Sequence, residues 1–265
     1  MDITTGILIL IVSFFAGGYG TIVGAGGGFI LVPALLLLFN LSPAVAAGTG
    51  LVIVLINSLT GVVGYSRQKR IDYRTGLKIA IGAIPGSIFG VWLLQVQPND
   101  SIYFYLLFGT LLFCLGGFLF FKNAPASWRE KLPFGNKEES HHEQTAFSLT
   151  AAQLIPLGVV MGMLSSYLGI GGGWLLVPIL IYIYRMPTHQ ATATSIFSLC
   201  LYTSVGVLSQ LYYQTIDWVI IMWGAVGVIA GAYVGVRVAK KVSGPIILQM
   251  LSVLLMIIGV RMIIP

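Results

Sequence analysis

The sequence Gly24-Ala25-Gly26-Gly27-Gly28-Phe29-Ile30-Leu31-Val32-Pro33 lies inside a long apolar stretch and opens with four glycines in five residues. A second copy, Gly169-Ile170-Gly171-Gly172-Gly173-Trp174-Leu175-Leu176-Val177-Pro178, follows 145 residues later. Glycine adopts positive φ angles and lets another group approach the backbone amides closely. We call residues 24–28 and 169–173 the first and second glycine clusters. The role of the two clusters depends on whether the chain folds in water or in a membrane.

The composition indicates an integral membrane protein. Of the 265 residues, 57% are hydrophobic and 8% are charged, whereas soluble domains contain about 25% charged residues. No acidic or basic residue lies between Asp2 and Arg67, or between Glu143 and Arg185. These runs suit helices of about 20 apolar residues in a lipid bilayer. The chain is therefore predicted to be all-α, and its net charge of +6 is attributed to membrane orientation and not to nucleic acid.

The apolar segments predict five membrane elements in each half of the chain. Residues 3–39 and 149–184 are each expected to form a hairpin that bends near a glycine cluster. The second arms, about 29–39 and 174–184, are short for a full span and are predicted to be half-helices. Further helices are expected at about 44–66, 76–97, 101–121, 189–213, 216–239 and 245–264. The polar residues 122–148 are predicted to link a first membrane repeat, 1–121, to a second, 149–265.

The charges of the loops predict that the two repeats are inverted. The register of 145 residues continues well beyond the clusters and aligns Thr49 with Thr194. The basic loop 67–74 aligns with a second-half segment, 212–218, that has no Lys or Arg, and in the next pair of loops the basic residues lie in the second half. Basic loops stay in the cytoplasm, so equivalent loops face opposite sides. The linker is predicted to be cytoplasmic and both termini outside, in a multi-pass protein of the cell (inner) membrane.

The two clusters are the candidate binding site. Irregular backbone at membrane depth is tolerated where protein buries it or a cavity contacts it. Amides at a helix N-terminus carry partial positive charge, so two such ends would hold an anion without Arg or Lys. Uncharged hydrogen-bonding side chains lie on one face of the following helices. The alternative role of both features is helix packing. The candidate substrate-binding residues are Gly26, Gly27, Gly28, Thr49, Asn57, Gly171, Gly172, Gly173, Thr194, Ser195 and Ser198.

The remaining features favour structural roles. Gly82, Gly86 and Gly90 recur every four residues, a spacing typical of close helix packing. Asp72 and Asp217 align at loop–helix junctions and are predicted to cap helices. No Asp, Glu, Lys or Arg lies at the centre of a predicted helix, which argues against a proton relay or an enzyme's catalytic site. No cofactor or metal is expected.

The doubled glycine motifs, with Pro33 and Thr49 after the first and Pro178 and Thr194 after the second, resemble the TauE/SafE family of membrane transporters. The resemblance covers the chain apart from the linker. It implies transport of small sulfur-containing anions, such as sulfite or organosulfonates like sulfoacetate. It also implies that the clusters and the polar positions after them bind the substrate.

The resulting hypothesis is a secondary carrier that exports such an anion by alternating access. An uptake carrier and a channel-like pathway for another sulfur compound are left open, as is a homodimer formed through glycine-rich helix faces. A membrane-embedded enzyme or an assembly subunit is disfavoured, because no nucleophile–base pair or metal-ligand group is visible in the sequence.

Overall fold

The computed structural model describes residues 2–97, 102–122 and 151–264. Within these ranges the chain forms ten α-helices, seven of which are long and apolar enough to cross a membrane. The helices are α1 (Ile3–Val23), α2 (Gly28–Leu37), α3 (Pro43–Arg67), α4 (Tyr73–Val96), α5 (Ile102–Lys122), α6 (Ala151–Leu168), α7 (Gly173–Tyr182), α8 (Thr188–Tyr213), α9 (Trp218–Val238) and α10 (Gly244–Ile263). Nearly all of the predicted linker, 122–148, lies outside the described residues.

The half-helices predicted after the clusters are confirmed as α2 and α7. Each has ten residues, which corresponds to about 15 Å of helix and about half the hydrocarbon core of a bilayer. Helix α2 begins at Gly28 and helix α7 at Gly173, each the last glycine of its cluster. The clusters therefore end one helix and start the next inside the apolar part of the chain.

Positive backbone angles make these breaks. Gly24 ends α1 with a φ of 82°, and its aligned residue Gly169 has a φ of 70°. The chain then folds back, so that Gly27 lies against the carbonyl of Ala16. In the second half Gly172 lies against the carbonyl of Met161, which is 145 residues after Ala16. Most side chains are strained at a positive φ, and this explains the glycines at 24, 26, 27, 169 and 171.

Glycine stripes hold the longest helix interfaces together. Helix α4 packs on α6, and a Cβ added to Gly82, Gly86 or Gly90 would collide with a carbonyl oxygen of α6. The predicted packing role of these three glycines is confirmed. Helix α9 packs on α1 in the same way, through Gly227, Gly231 and Gly235. Small residues let membrane helices approach closely, so these contacts stabilise the bundle by van der Waals packing.

Helices of each half of the chain pack on helices of the other half. Helix α4 of the first half packs on α6 of the second, whereas α9 of the second half packs on α1 of the first. Aligned helices also pack on each other, α3 on α8 and α5 on α10. Each half thus supplies the partners for the other, and the clusters lie where the halves meet.

The surface of the bundle is apolar and its interior is partly polar. Large hydrophobic side chains such as Ile81, Trp92 and Met222 are exposed on the outside, Met222 to 73%. Hydroxyl and amide side chains such as those of Asn57 and Ser87 are completely buried. A lipid-facing exterior explains this distribution, because a bilayer solvates apolar side chains as well as a protein core does.

Candidate functional site

The two glycine clusters contact each other in the centre of the bundle. The hydroxyl of Ser195 donates a hydrogen bond of 2.9 Å to the carbonyl oxygen of Gly24. A Cβ added to Gly173 would collide with that same carbonyl group, and one added to Gly28 would lie 2.6 Å from the carbonyl oxygen of Ile170. The first residues of α2 and α7 therefore each lie against the opposite cluster.

Two apolar side chains fill the space between the clusters. Val54 of α3 and Leu199 of α8 are aligned at the offset of 145 residues and are fully buried. A Cβ added to Gly26 would lie 3.0 Å from Val54 and 3.5 Å from Leu199, and one added to Gly171 would lie within 2.9 Å of both. The clusters are thus closed over by a matched pair of side chains, one from each half.

The centre carries partial positive charge without any charged side chain. The first amides of an α-helix have no partner within the helix and give its N-terminus a positive end. In α2 and α7 these amides begin at Gly28 and Gly173. None of the fully buried residues in the described part of the chain is Asp, Glu, Lys, Arg or His. The backbone therefore provides the electrostatic potential of this region.

Buried polar atoms without hydrogen-bond partners lie around the clusters. They include Asn57 Nδ2, Ser58 Oγ, Trp174 Nε1 and Thr192 Oγ1. Ser58 Oγ lies 3.6 Å from the position that a Cβ on Gly26 would take, and Thr192 packs against Gly24 through its Cα and Cγ2 atoms. Trp174 directly follows the second cluster. An unpaired buried polar group costs about 1–3 kcal/mol, so a polar ligand that bonded to these atoms would remove that cost. Sequence reasoning missed Ser58, Trp174 and Thr192, although Ser58 is adjacent to the predicted Asn57.

Three of the predicted polar residues make hydrogen bonds at the junctions of the helices. Thr49 Oγ1 accepts a 3.0 Å hydrogen bond from the amide of Asp217, and Thr194 Oγ1 accepts one of the same length from the amide of Asp72. Ser198 Oγ donates to the carbonyl oxygens of Gly76 and Thr194 at 3.1 and 3.0 Å. The hydroxyls of all three residues are thus engaged by backbone at the starts of α4, α8 and α9.

The other two predicted polar residues lie closer to the breaks. Ser195 hydrogen-bonds directly to the first cluster, through the carbonyl oxygen of Gly24. Asn57 Oδ1 accepts a 3.2 Å hydrogen bond from Thr21 Oγ1, near the end of α1. All six predicted glycines take part in the contact between the clusters or in the turns beside it.

The aligned aspartates cap helices, which confirms their predicted role. Asp72 Oδ1 accepts hydrogen bonds of 3.1 Å from the amides of Arg74 and Thr75 at the start of α4. Asp217 Oδ1 accepts bonds of 2.9 and 3.1 Å from the amides of Val219 and Ile220 at the start of α9. Such caps satisfy amides that the helix itself cannot.

Seven candidate membrane spans and two short helices that begin at glycine breaks are typical of a multi-pass membrane transporter. The chain belongs to the sulfite exporter TauE/SafE family, whose model matches residues 9–262. It is a transporter and not an enzyme. The family predicted from the glycine motifs is thereby confirmed.

Similar proteins cover almost the whole chain. The probable membrane transporter protein YunE of Bacillus subtilis is 27% identical over 97% of both chains. The probable membrane transporter protein YjnA of the same organism is 26% identical over 96% of this chain and 98% of its own length. The probable membrane transporter protein MJ0441 of Methanocaldococcus jannaschii is 29% identical over 96% and 94%. No solved structure matches the chain.

Proposed function

We propose that the protein exports a small sulfur-containing anion, sulfite or an organosulfonate such as sulfoacetate, by secondary transport. The anion binds between the N-terminal ends of α2 and α7. The observation that carries this proposal is the contact of the two glycine clusters in a buried region that has free polar atoms and no charged side chain. The family description supports the same class of substrate.

The chemistry of the clusters suits a sulfonate or sulfite group. Such a group has several oxygens that accept hydrogen bonds from backbone amides and hydroxyls. The amides of the first turn of α2 and α7, with Ser58 and Thr192 beside them, are donors of this kind. A site without Arg or Lys binds the anion without a full ion pair, and this favours its release on the other side.

The closed state of the centre supports transport by alternating access. Val54 and Leu199 close the space between the clusters, so an anion enters only when the halves move apart. We interpret the halves as inverted membrane repeats, 1–121 and 149–265, joined by a cytoplasmic linker, with both termini outside. The reversal of loop charge and the exchange of helix contacts between the halves support this orientation.

The membrane potential favours export. With the cytoplasm negative, outward movement of one negative charge is favourable by about 2.3 kcal/mol per 100 mV. Export therefore requires no coupled ion, in accord with the absence of buried carboxylates among the described residues. Uptake against this potential would require a cation or proton to move with the anion.

The test is flux of labelled sulfite and sulfoacetate in proteoliposomes under an imposed voltage. We expect saturable efflux that increases with a negative interior, together with counterflow. Flux that does not depend on the voltage would contradict uncoupled electrogenic export. Flux without saturation or counterflow would indicate a channel. Sulfate and chloride serve as competing anions. If either of them competes as well as unlabelled sulfite or sulfoacetate does, the proposed substrate class is wrong.

A matched pair of variants places the site. Thr192→Val removes an unpartnered hydroxyl beside Gly24 without breaking a hydrogen bond. Hydrogen bonds to a charged group contribute about 1.5–3 kcal/mol, so we expect about a tenfold or greater increase in KM. Ser13→Ala is the control, because Ser13 Oγ is equally unpartnered but packs on Gly224 of α9. Equal effects of the two variants would remove the site from the clusters.

A further inference from the structure

A cationic cleft lies on the outside of the bundle, between the ends of α3 and α9. Its volume is about 540 Å³, and its described lining contains Arg67, Arg237 and Lys240 but no carboxylate. Arg67 is the last residue of α3, and Arg237 lies in the last turn of α9. The cations therefore stand at the end of two membrane-spanning helices, where a bilayer has its headgroups.

The cleft also has an apolar wall that is exposed on the outside of the bundle. Leu59, Val63 and Tyr233 line it below the cations, along the helices, and are 51%, 54% and 55% exposed. The guanidinium of Arg237 stacks on the ring of Tyr233, 3.5 Å from its centroid. This contact fixes the cation above the apolar wall. The cleft thus combines a positively charged end with a surface for hydrocarbon chains.

A second cleft is the aligned counterpart of the first and lacks its charge. It has a volume of about 520 Å³ and lies between α4 and α8. At the offset of 145 residues Tyr212 takes the place of Arg67, and Trp92 takes the place of Arg237. Aromatic side chains sit at membrane interfaces without selecting charged headgroups. The two clefts share their fold position and differ in charge.

We propose that the cleft between α3 and α9 binds an anionic phospholipid of the surrounding bilayer. Its phosphate lies among Arg67, Arg237 and Lys240, and its acyl chains lie on Leu59, Val63 and Tyr233. Basic pockets between membrane helices recognise anionic headgroups by this charge complementarity. A free phosphate has no acyl chains to contact the apolar wall, so the wall favours a lipid as the ligand. The proposal is independent of the transported anion.

The test measures lipid binding to the full chain in neutral detergent by native mass spectrometry and by thermal unfolding. The probes are phosphatidylglycerol, phosphatidylcholine and glycerol 3-phosphate. We expect phosphatidylglycerol to bind and to raise Tm, and the other two to do neither. Replacing all three cations, as Arg67→Gln, Arg237→Gln and Lys240→Gln, should weaken phosphatidylglycerol binding about tenfold or more.

The control variant removes the same charge outside the cleft. Lys69→Gln, Arg74→Gln and Lys241→Gln change three exposed cations that do not line the cleft, after the ends of α3 and α9 and at the start of α4. This variant should bind phosphatidylglycerol like the wild type. If the first variant fails to fold, Lys240→Gln alone should still weaken binding severalfold, because Lys240 is exposed. Equal loss in the control variant, equal binding of phosphatidylcholine, or equal binding of glycerol 3-phosphate would each overturn the proposal.

Discussion

The two glycine clusters have the same spacing but differ in backbone conformation at one position. Gly26 and its aligned residue Gly171 have φ angles of 79° and 74°. The next residues differ, because Gly27 has a φ of 78° and Gly172 a φ of −77°. The start of α2 thus requires glycine at the residue before the helix, whereas the start of α7 adopts an angle open to other residues.

Tyr202 forms a hydrogen bond at the position where the two clusters differ. The hydroxyl of Tyr202 accepts a 3.0 Å hydrogen bond from the amide of Gly172. The residue aligned with Tyr202 is Asn57, which bonds to Thr21 and leaves its Nδ2 without a partner. A side chain thus satisfies the amide of Gly172, whereas the aligned side chain of Asn57 leaves a polar atom free. We infer that an anion must compete with Tyr202 for the amide of Gly172.

The largest expected effect comes from substituting alanine for Gly27 and Gly172, the aligned glycines that differ in φ. Gly27→Ala would place a Cβ 2.5 Å from the carbonyl oxygen of Ala16 at a left-handed residue, where that angle alone costs about 1–2 kcal/mol. Gly172→Ala meets the hydroxyl of Tyr202 at 2.8 Å but has an allowed φ. We expect Gly27→Ala to lower the free energy of unfolding by about 3 kcal/mol or more, with less than half of that for Gly172→Ala.

Thermal unfolding in detergent measures both variants, with Gly117→Ala as the control. A Cβ on Gly117 of α5 would have no atom within 4 Å. Alanine in a helix is favoured over glycine by about 1 kcal/mol, so this control should not lower Tm. Equal losses at positions 27 and 172 would mean that the clusters do not differ as described.

Local patterns predicted the breaks in the helices and the residues that shape them. The half-helices, the capping aspartates and the packing stripe with Gly82 follow from spacing and residue type along a single segment. The hydroxyls of Thr49 and Thr194 could not be assigned this way, because each bonds to an amide in the other half of the chain. Contacts between distant helices depend on how the halves dock, and helical periodicity gives only the face of a side chain.

The same limit applies to Tyr202 and to the pair that closes the centre. Alignment of the repeats matches Val54 with Leu199, but hydrophobicity alone assigns both to an ordinary core. Tyr202 differs from its aligned residue Asn57, so the repeat gives no indication that its hydroxyl binds an amide of a cluster. These contacts appear only when the two halves are packed together.

The next largest effect is expected from Tyr202→Phe, which removes the acceptor of the Gly172 amide. An unsatisfied buried amide costs about 1–3 kcal/mol, so the free energy of unfolding without ligand should fall by that amount. Because the hydroxyl no longer competes with the anion, the affinity for sulfite or sulfoacetate should rise severalfold. Isothermal titration and thermal unfolding with each anion measure both changes.

Tyr65→Phe is the matched control for this variant. Tyr65 is also buried in the long helix after a half-helix, and its hydroxyl donates a 2.8 Å hydrogen bond to the carbonyl oxygen of Thr21. Its loss should lower stability without raising anion affinity, since no amide of a cluster is freed. Lower affinity in Tyr202→Phe than in the wild type would mean that the tyrosine binds the anion and does not compete with it.

A smaller and equal effect is expected from Thr49→Val and Thr194→Val. Each change removes the acceptor of one backbone amide, at Asp217 or at Asp72. Both should lower the free energy of unfolding by about 1–2 kcal/mol and to the same extent, because the two bonds are equivalent. Thr→Ser at either position keeps the acceptor and should retain most of the stability. Unequal losses of stability would mean that the two halves also differ outside the clusters.

The smallest effect on stability, and the sharpest on binding, is expected from Ser58→Ala. Ser58 Oγ is buried beside Gly26 of the first cluster and has no partner, so its removal breaks no hydrogen bond and relieves an unpaired group. The Tm without ligand should stay the same or rise slightly, whereas the anion affinity should fall about tenfold, because a hydrogen bond to a charged group is lost.

Ser87→Ala provides the comparison, because Ser87 Oγ of α4 is equally buried and unpartnered but belongs to a helix that does not form the clusters. Its substitution should leave anion affinity unchanged. If both serine variants bind the anion like the wild type, Ser58 does not contact the ligand.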